Sequence, residues 1–265
     1  MAQLKEHINP MFYEHFDKFN LKLLWRGLSR CEFDFAGQLM TEKMSEKLDQ
    51  VSGSCWDFLS RNPSEWARNL LLQNPKEINW NFISQNPSEW ARNLLLENPE
   101  NIEWDYLSEN PSEWARNLLL ENPVKIYWEF MSKNTSEWAR NLLLENPEEI
   151  EWGWLSGNPT EWAINLLLEN PEKINWFHLS ENPSELARNL LLQNPEKIKW
   201  EFMSINTSEW AIKLLEQNPE KINWDVVSTN QSFHIINLLS NNHSKINWCD
   251  LSQNPVIFYQ EPCLW

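Results

Sequence analysis

The sequence has little glycine, little cysteine and no long run of apolar residues, and each shortage excludes a class of protein. Only 5 of the 265 residues are glycine, against 15 prolines, so Asn and Pro must mark most turns. The four cysteines, Cys31, Cys55, Cys249 and Cys263, lie toward the ends of the chain, which suggests neither a disulfide framework nor a zinc site. No apolar stretch approaches the roughly 20 residues of a membrane span, and the N-terminus lacks a signal peptide's apolar run. We therefore expect an intracellular protein that is neither secreted nor bound to a membrane.

Positive charge is also scarce. The chain has 22 Lys and Arg against 38 Asp and Glu, a formal net charge of −16. Residues 1–55 are nearly balanced, with 7 cations and 8 anions, so the acidity belongs to residues 56–265. Such a surface repels nucleic acid and anionic membranes and favours basic proteins as partners. A second interpretation is that the acid only keeps a tryptophan-rich chain in solution.

Known catalytic and cofactor signatures are missing. The sequence contains no phosphate loop, dinucleotide fingerprint, zinc signature or nucleophile elbow. None of its five histidines recurs at a set place in the repeat described below, so a repeated metal site is excluded. Tryptophan columns can stack single-stranded nucleic acid, but that mode also needs a basic groove. We expect no enzyme activity, no cofactor, no metal and no direct nucleic-acid binding.

What the sequence has in excess is tryptophan, with 18 residues, nine of which recur at a spacing of 24. These nine are Trp56, Trp80, Trp104, Trp128, Trp152, Trp176, Trp200, Trp224 and Trp248. A unit this short cannot enclose a core alone and must stack on its neighbours. We predict an N-terminal helical capping segment at 1–55, eight repeats at 56–247, and a partial ninth repeat with a C-terminal cap at 248–265. The two end segments could equally be docking elements.

The first half of each repeat predicts a helix of about ten residues. The run Asn62-Pro63-Ser64-Glu65 is typical of a helix start, with Asn as the N-cap and Glu closing a capping box. Asn74-Pro75 stops the helix. The residues that fall on one face at helical spacing, and so predict the core, are Trp66, Ala67, Leu70 and Leu71.

The second half of each repeat predicts a single turn after Pro75 and a short helix from Trp80. The Trp-x-x-Leu spacing recurs, and the position after Trp is often acidic, as first-turn positions of helices are. Alternatively, Ile78, Trp80 and Phe82 alternate as in a strand, which would make an α/β solenoid like a leucine-rich repeat. We favour the first interpretation, an all-α solenoid of about nine 24-residue repeats whose superhelix is right- or left-handed.

Two asparagine columns do not vary within the array. An asparagine at each place could cap a helix and also hydrogen-bond from repeat to repeat as a ladder. Leaving such an amide buried and unpaired would cost about 1–3 kcal/mol. The predicted structural caps in the first three repeats are Asn62, Asn74, Asn86, Asn98, Asn110 and Asn122.

One leucine column does not fit the core face, since it lies roughly 100° beyond Leu71 around the helix. Its members are Leu72, Leu96, Leu120, Leu144, Leu168 and Leu192. They either pack between adjacent helices or form an exposed apolar stripe for a partner or a second copy.

An arginine column runs beside the leucines. Its members are Arg68, Arg92, Arg116, Arg140 and Arg188, and it is interrupted by Ile164 and Ile212. We expect each arginine to pair with the glutamate one turn back, at the position of Glu65, and each exposed pair to contribute little stability. The leucine and arginine columns are the candidate interaction columns.

The pattern Trp-x-x-Leu-Ser-x-Asn-Pro, followed by Leu-Leu-x-x-Asn-Pro-x-x-Ile-x-Trp, extends over residues 56–255. It resembles the tandem repeats of about 24 residues found in proteins of large nucleocytoplasmic DNA viruses of amoebae, such as marseilleviruses and mimivirus relatives. The chain departs from that family in having Ala-Arg at 67–68, where Ala-Ile is common, and a heavier Glu-Trp at 65–66. The resemblance implies a viral product in an infected host, and implies no activity and no catalytic residue.

These observations predict a non-enzymatic scaffold that binds a basic host or viral protein through an acidic solenoid surface. One alternative is a structural component of the virion or viral factory that self-associates into a homo-oligomer. The other is a DNA mimic, whose regularly spaced carboxylates imitate phosphates. The sequence leaves all three open.

Overall fold

The computed structural model describes residues 29–30, 36–37, 40 and 53–257, with side chains from residue 55 onward in the last range. Most of the predicted capping segment 1–55, and residues 258–265 of the predicted C-terminal cap, lie outside the described residues. The described residues form two compact units. Unit 1 comprises those up to Ile78 and those from Thr207 onward, and unit 2 is Asn79–Asn206. The regular structure in the described ranges is helical throughout, without a strand, so the all-α prediction is confirmed and the strand alternative is wrong.

Each of the first seven repeats consists of a short helix, a long helix and a 3-10 turn. The eighth has the two helices without the 3-10 turn, and in the partial ninth repeat a 3-10 turn follows the short helix directly. The short helices are Gly53–Arg61, Trp80–Gln85, Trp104–Glu109, Trp128–Met131, Trp152–Leu155, Trp176–Glu181, Trp200–Met203, Trp224–Val227 and Trp248–Leu251. The long helices are Glu65–Gln73, Glu89–Glu97, Glu113–Glu121, Glu137–Glu145, Glu161–Glu169, Glu185–Gln193, Glu209–Gln217 and, in the eighth repeat, Ile235–Ser240. The turns are Pro75–Glu77, Pro99–Asn101, Pro123–Lys125, Pro147–Glu149, Pro171–Lys173, Pro195–Lys197, Pro219–Lys221 and Pro255–Ile257.

The long helices begin two residues later than the sequence pattern predicts. In Glu137–Glu145 the N-cap is Ser136, whose Oγ accepts a hydrogen bond from the backbone N–H of Ala139 at 3.3 Å. Asn134 lies two residues upstream, and its Oδ1 accepts from the backbone N–H of Ser136 at 3.0 Å. The first repeat has the same arrangement, so the N-cap is corrected from Asn62 to Ser64. The reason is that the first asparagine of each repeat is engaged with the preceding repeat.

The second asparagine of each repeat ends the long helix. Asn146 Nδ2 donates to the carbonyl of Leu142 at 2.8 Å, and its backbone N–H donates to the carbonyl of Leu143 at 3.2 Å. Both carbonyls belong to the last turn, whose acceptors have no partner further along the helix. Pro147 then starts the 3-10 turn, because it cannot continue the donor pattern of the helix.

From the second repeat onward the short helices begin at the recurring tryptophans, as predicted, whereas the first begins at Gly53. Where an asparagine precedes the tryptophan, its side chain caps the helix. Asn79 accepts from the backbone N–H of Asn81 at 3.1 Å, and Asn175 accepts from that of Phe177 at 3.0 Å. Each short helix places one apolar side chain in the core, such as Met131 or Leu155, both fully buried.

The core is formed mainly by the predicted alanine and Leu71 columns, whereas the predicted Leu70 column is only half-buried in unit 2. This core is continuous only through stacking of repeats. In unit 2 the alanine and the second leucine of each long helix are fully buried, as at Ala139 and Leu143. Fully burying one such leucine contributes about 2 kcal/mol. Neighbouring short helices contact each other, for example Trp80–Gln85 with Trp104–Glu109. Each repeat therefore depends on its neighbours for burial, as in other solenoids.

A polar ladder joins successive repeats through the first asparagine column and through a serine that lies two residues before each of these asparagines. Asn134 Nδ2 donates to the carbonyls of Ser108 and Asn110, both in the preceding repeat, at 2.9 and 3.1 Å. Ser108 Oγ accepts from the backbone N–H of Tyr127 at 3.0 Å, and donates within its own helix to the carbonyl of Trp104. The predicted repeat-to-repeat hydrogen bonding is thus confirmed for the first asparagine column, whereas the second bonds within its own repeat.

In unit 1, residues from the N-terminal segment pack on the first repeat. Ser29, Ala36 and Met40 are fully buried, and the carbonyl of Ser29 accepts from Asn62 Nδ2 at 3.3 Å. Ser29 thus supplies an acceptor of the kind that a preceding repeat supplies elsewhere. A Cβ on Gly37 would lie 2.6 Å from Trp66 Cγ, so only glycine fits at this contact.

The same segment also reaches the partial ninth repeat. The Arg30 guanidinium lies 3.7 Å from the centre of the Phe58 ring, and its Nη1 donates to the carbonyl of Gln253 at 3.2 Å. Unit 1 therefore brings together residues 223 positions apart in the chain. Within the described residues, no helix is long and apolar enough to cross a membrane.

Candidate interaction surface

The predicted leucine column is half exposed. Each of its six members leaves 48–51% of its surface to solvent, although the leucine before it in the sequence is buried or nearly so. The two interpretations of the column therefore each hold in part, because half of each side chain is covered and half is accessible. Five of these leucines, Leu96 to Leu192, belong to unit 2. They recur once in every long helix from the second repeat to the sixth.

The predicted ion pairs beside the leucines are confirmed. Arg92 Nη1 lies 3.2 Å from Glu89 Oε2, and Arg116 and Arg140 make the same i,i+3 contact at 3.0 and 3.1 Å. Arg68 and Arg188 do likewise, both at 2.8 Å. These pairs are exposed, so each contributes less than about 1 kcal/mol. In each of these five pairs the arginine neutralises the glutamate, so the pair presents no net charge to a partner.

A second glutamate column, directly after the leucines, is not compensated. Glu97, Glu121, Glu145 and Glu169 are exposed, and none has a basic group within 4.0 Å in the described ranges. Unit 2 as a whole has 21 Asp and Glu against 9 Lys and Arg, a net charge of −12. In the helices of Leu96, Leu120 and Leu144, one glutamate is neutralised by its arginine, and the glutamate directly after the leucine is uncompensated.

The regular array is interrupted at the long helix Glu161–Glu169. Trp90, Trp114, Trp138 and Trp210 at the equivalent position are 7–8% exposed. In the third and fourth repeats the indole Nε1 donates to a backbone carbonyl of the preceding repeat at 3.2 Å. Trp162 is more exposed, and its Nε1 is buried without a hydrogen-bond partner. Trp66 of the first repeat is likewise more exposed and has a buried Nε1 without a partner. An unmade hydrogen bond of this kind costs about 1–3 kcal/mol, so Trp66 and Trp162 are held less firmly than Trp114 and Trp138.

A cavity of about 500 Å³ lies beside Trp162, between the long helices Glu137–Glu145 and Glu161–Glu169. It is lined by Glu137, Arg140, Leu144, Glu161, Trp162, Asn165, Leu166 and Glu169. Two of the predicted interaction residues, Arg140 and Leu144, are therefore part of its wall. This cavity was not predicted from the sequence, although the interruption of the arginine column at Ile164 was visible there.

Unit 2 has a second ordered feature that the sequence analysis missed, a column of half-buried rings on its short helices. Tyr106 lies 6.0 Å from Phe82 and 5.5 Å from Phe130, and Trp154 lies 4.8 Å from His178, measured between ring centres. Lys133 Nζ lies 3.6 Å from the Trp154 ring centre, and Trp154 Nε1 donates to Glu129 Oε1 at 2.8 Å. The signal was an aromatic residue two positions after most of the recurring tryptophans. Because the chain's own rings, lysine and carboxylate satisfy one another here, we assign this column to stability.

Little else in the described ranges suggests chemistry. They contain no group of three or more His, Cys, Asp or Glu side chains placed to hold a metal ion. In unit 1, a hydrogen bond from Lys213, together with its charge, holds the pKa of the exposed Glu209 below its ordinary value. Comparison of the chain with protein-family models, with curated proteins and with solved structures found no match.

Proposed function

We propose that this chain is a non-enzymatic scaffold that binds a basic protein through the leucine-lined face of its long helices. The observation that carries the proposal is the half-exposed leucine column bordered by the uncompensated column Glu97, Glu121, Glu145 and Glu169. A repeated exposed apolar stripe is typical of a protein-binding surface. The repeat spacing presents the same pair of groups in register along unit 2, which suits an elongated partner.

The charge of unit 2 decides which partner is favoured. At −12, unit 2 attracts a segment with lysine and arginine on one face, and apolar residues of that segment can cover the leucines. A second copy of the chain would supply matching leucines but would bring its own carboxylates into the contact. A basic amphipathic segment is therefore favoured over self-association, which is the second candidate.

The resemblance of the repeat pattern adds a biological setting to the proposal. A protein of the resembling viruses would act inside an infected cell, in the host cytoplasm, the viral factory or the virion. Its basic partner would then be a host or viral protein. Neither this setting nor the identity of the partner is needed for the binding experiment below.

The test is a fluorescence-anisotropy titration with a labelled amphipathic leucine–lysine peptide that carries one central arginine. We expect binding that weakens steeply as salt is raised from about 0.05 M to about 0.5 M, because salt screens exposed charges. Replacing Leu96, Leu120 and Leu144 together by serine should weaken binding at least about tenfold through lost apolar contact.

The matched control is Val124→Ser. Val124 is 91% exposed but lies in a 3-10 turn outside the leucine column, so its change should leave peptide affinity unaltered. Circular dichroism would establish that each variant keeps its helices. Peptide binding that is absent from the wild-type protein at low salt, or that is equally weakened by the triple variant and by Val124→Ser, would refute the proposed surface.

A further inference from the structure

The long helix Glu161–Glu169 lacks the cation that the other long helices with this glutamate have. In each long helix from the first repeat to the sixth except this one, the first glutamate pairs with the arginine three residues on. In the seventh, Glu209 pairs with Lys213 instead. Ile164 takes the arginine's place here and is fully buried, and Glu161 has no ion pair in the part of the chain that the structure describes. This column therefore has one exposed carboxylate without a counter-charge.

Glu161 also lines the cavity of about 500 Å³. That volume lies within the roughly 300–1,000 Å³ of ordinary ligand pockets, and is ample for one long side chain. Its lining includes the carboxylates of Glu137, Glu161 and Glu169 against the single cation Arg140, which is already paired with Glu137 at 3.1 Å. The cavity is consequently anionic, and one member of the leucine column, Leu144, is part of its wall.

Leu144, Trp162 and Leu166 supply the apolar part of the lining. An arginine side chain combines an aliphatic stem, which can cover such residues, with a planar guanidinium that stacks on indole rings and pairs with carboxylates. Elsewhere in unit 2 the chain itself places a cation, Lys133, over the indole of Trp154, whose Nε1 donates to Glu129. An arginine therefore matches both the charge and the apolar surface of this cavity.

We infer that the cavity between Glu137–Glu145 and Glu161–Glu169 accepts an arginine side chain of a basic protein partner. The guanidinium supplies the counter-charge that Glu161 lacks in its own helix, while the stem lies against Trp162. This inference rests on the proposed function, because the leucine column beside the cavity holds the rest of the same partner. It makes Glu161 a specificity residue that distinguishes the fifth repeat from its neighbours.

The test is a double-mutant cycle between Glu161 and the central arginine of the leucine–lysine peptide. Replacing that arginine by citrulline removes the charge and keeps the shape. We expect citrulline to weaken binding to the wild-type protein about tenfold, and to change little in Glu161→Gln, where the pairing is already lost. Ile164→Arg should behave in the same way, because the restored arginine pairs with Glu161 from within the helix.

The control is Glu113→Gln, at the same position of a repeat that keeps its arginine; here citrulline should still cost about tenfold. Citrulline that weakens binding equally to the wild-type protein, Glu161→Gln and Glu113→Gln overturns the inference, but leaves the proposed function standing if binding stays salt-dependent. Absence of peptide binding to the wild-type protein refutes the proposed function and the inference together. Circular dichroism of each variant excludes misfolding as the cause of a loss.

Discussion

At the scale of single residues, the invariant asparagine before each long helix is the most constrained position of the repeat. Asn134 is fully buried and uses both ends of its amide. Nδ2 donates to two carbonyls of the preceding repeat, and Oδ1 accepts from the backbone N–H and the hydroxyl of Ser136. A buried amide is favourable only when it is fully paired, and no other side chain has the same donors and acceptors at this length.

We expect Asn134→Ala to lower the free energy of unfolding by about 2–3 kcal/mol, because it leaves buried backbone carbonyls without a donor. Urea denaturation followed by circular dichroism measures the change. Asn141→Ala, in an exposed position of the adjoining long helix, is the control and should have almost no effect. Similar losses in the two variants would show that the ladder does not stabilise the array.

At the scale of the helix, the serine before the first glutamate starts each of the typical long helices. Ser112 Oγ accepts from the backbone N–H of Ala115 at 3.4 Å, and donates to Asn110 Oδ1 at 2.7 Å. The serine thus links the start of the helix to the ladder. In the fifth repeat Thr160 keeps the link to Asn158 at 2.7 Å, but makes no side-chain capping bond.

Replacing Ser112 by alanine should lower the free energy of unfolding by about 1 kcal/mol, the usual loss when an N-cap serine is removed. The comparison is Asn117→Ala, an exposed change within the same helix, for which helix propensity favours alanine slightly. The midpoint of urea unfolding, measured for both variants, gives the comparison. A midpoint for Ser112→Ala at or above that of Asn117→Ala would contradict the assignment of the N-cap.

At the scale of the whole molecule, the net charge of −16 opposes contact between two copies of the chain. Unit 2 holds −12 of that charge together with five of the six half-exposed leucines. Apolar attraction and charge repulsion therefore act at the same surface. Salt weakens only the repulsion, so its effect on self-association is opposite to its effect on a basic partner.

We expect sedimentation equilibrium at about 0.05 M salt to report a single chain of 31.8 kDa. Any association through the leucines should strengthen as salt is raised and should be abolished by Leu120→Glu. Val124→Glu is the matched control, since it adds the same charge outside the column. Stable oligomers at low salt that survive Leu120→Glu would contradict self-association through the leucine column.

The sequence by itself determined the period of 24, the alternation of a short and a long helix, the alanine and Leu71 columns of the core, and the ion pairs such as Arg116 with Glu113. These features follow from residues close in the chain and from contacts repeated between adjacent repeats. One unit's pattern therefore carries the information for all of them. The same locality explains why the helix-ending role of Asn146 was predictable, since its partner is four residues away.

Only the tertiary structure decided that a serine, and not the asparagine before it, caps each typical long helix. It also decided where the cavity lies and that Arg30 donates to the carbonyl of Gln253. The N-cap is Ser64 and not the predicted Asn62, because the amide of Asn62 donates to the carbonyl of Ser29 in a neighbouring segment. The presence of Ile164 in place of an arginine was visible in the sequence. The exposure of Trp162 and the cavity beside it, by contrast, depend on how two long helices pack. Contacts across 223 positions carry no local signal, because their residues meet only after the repeats have stacked.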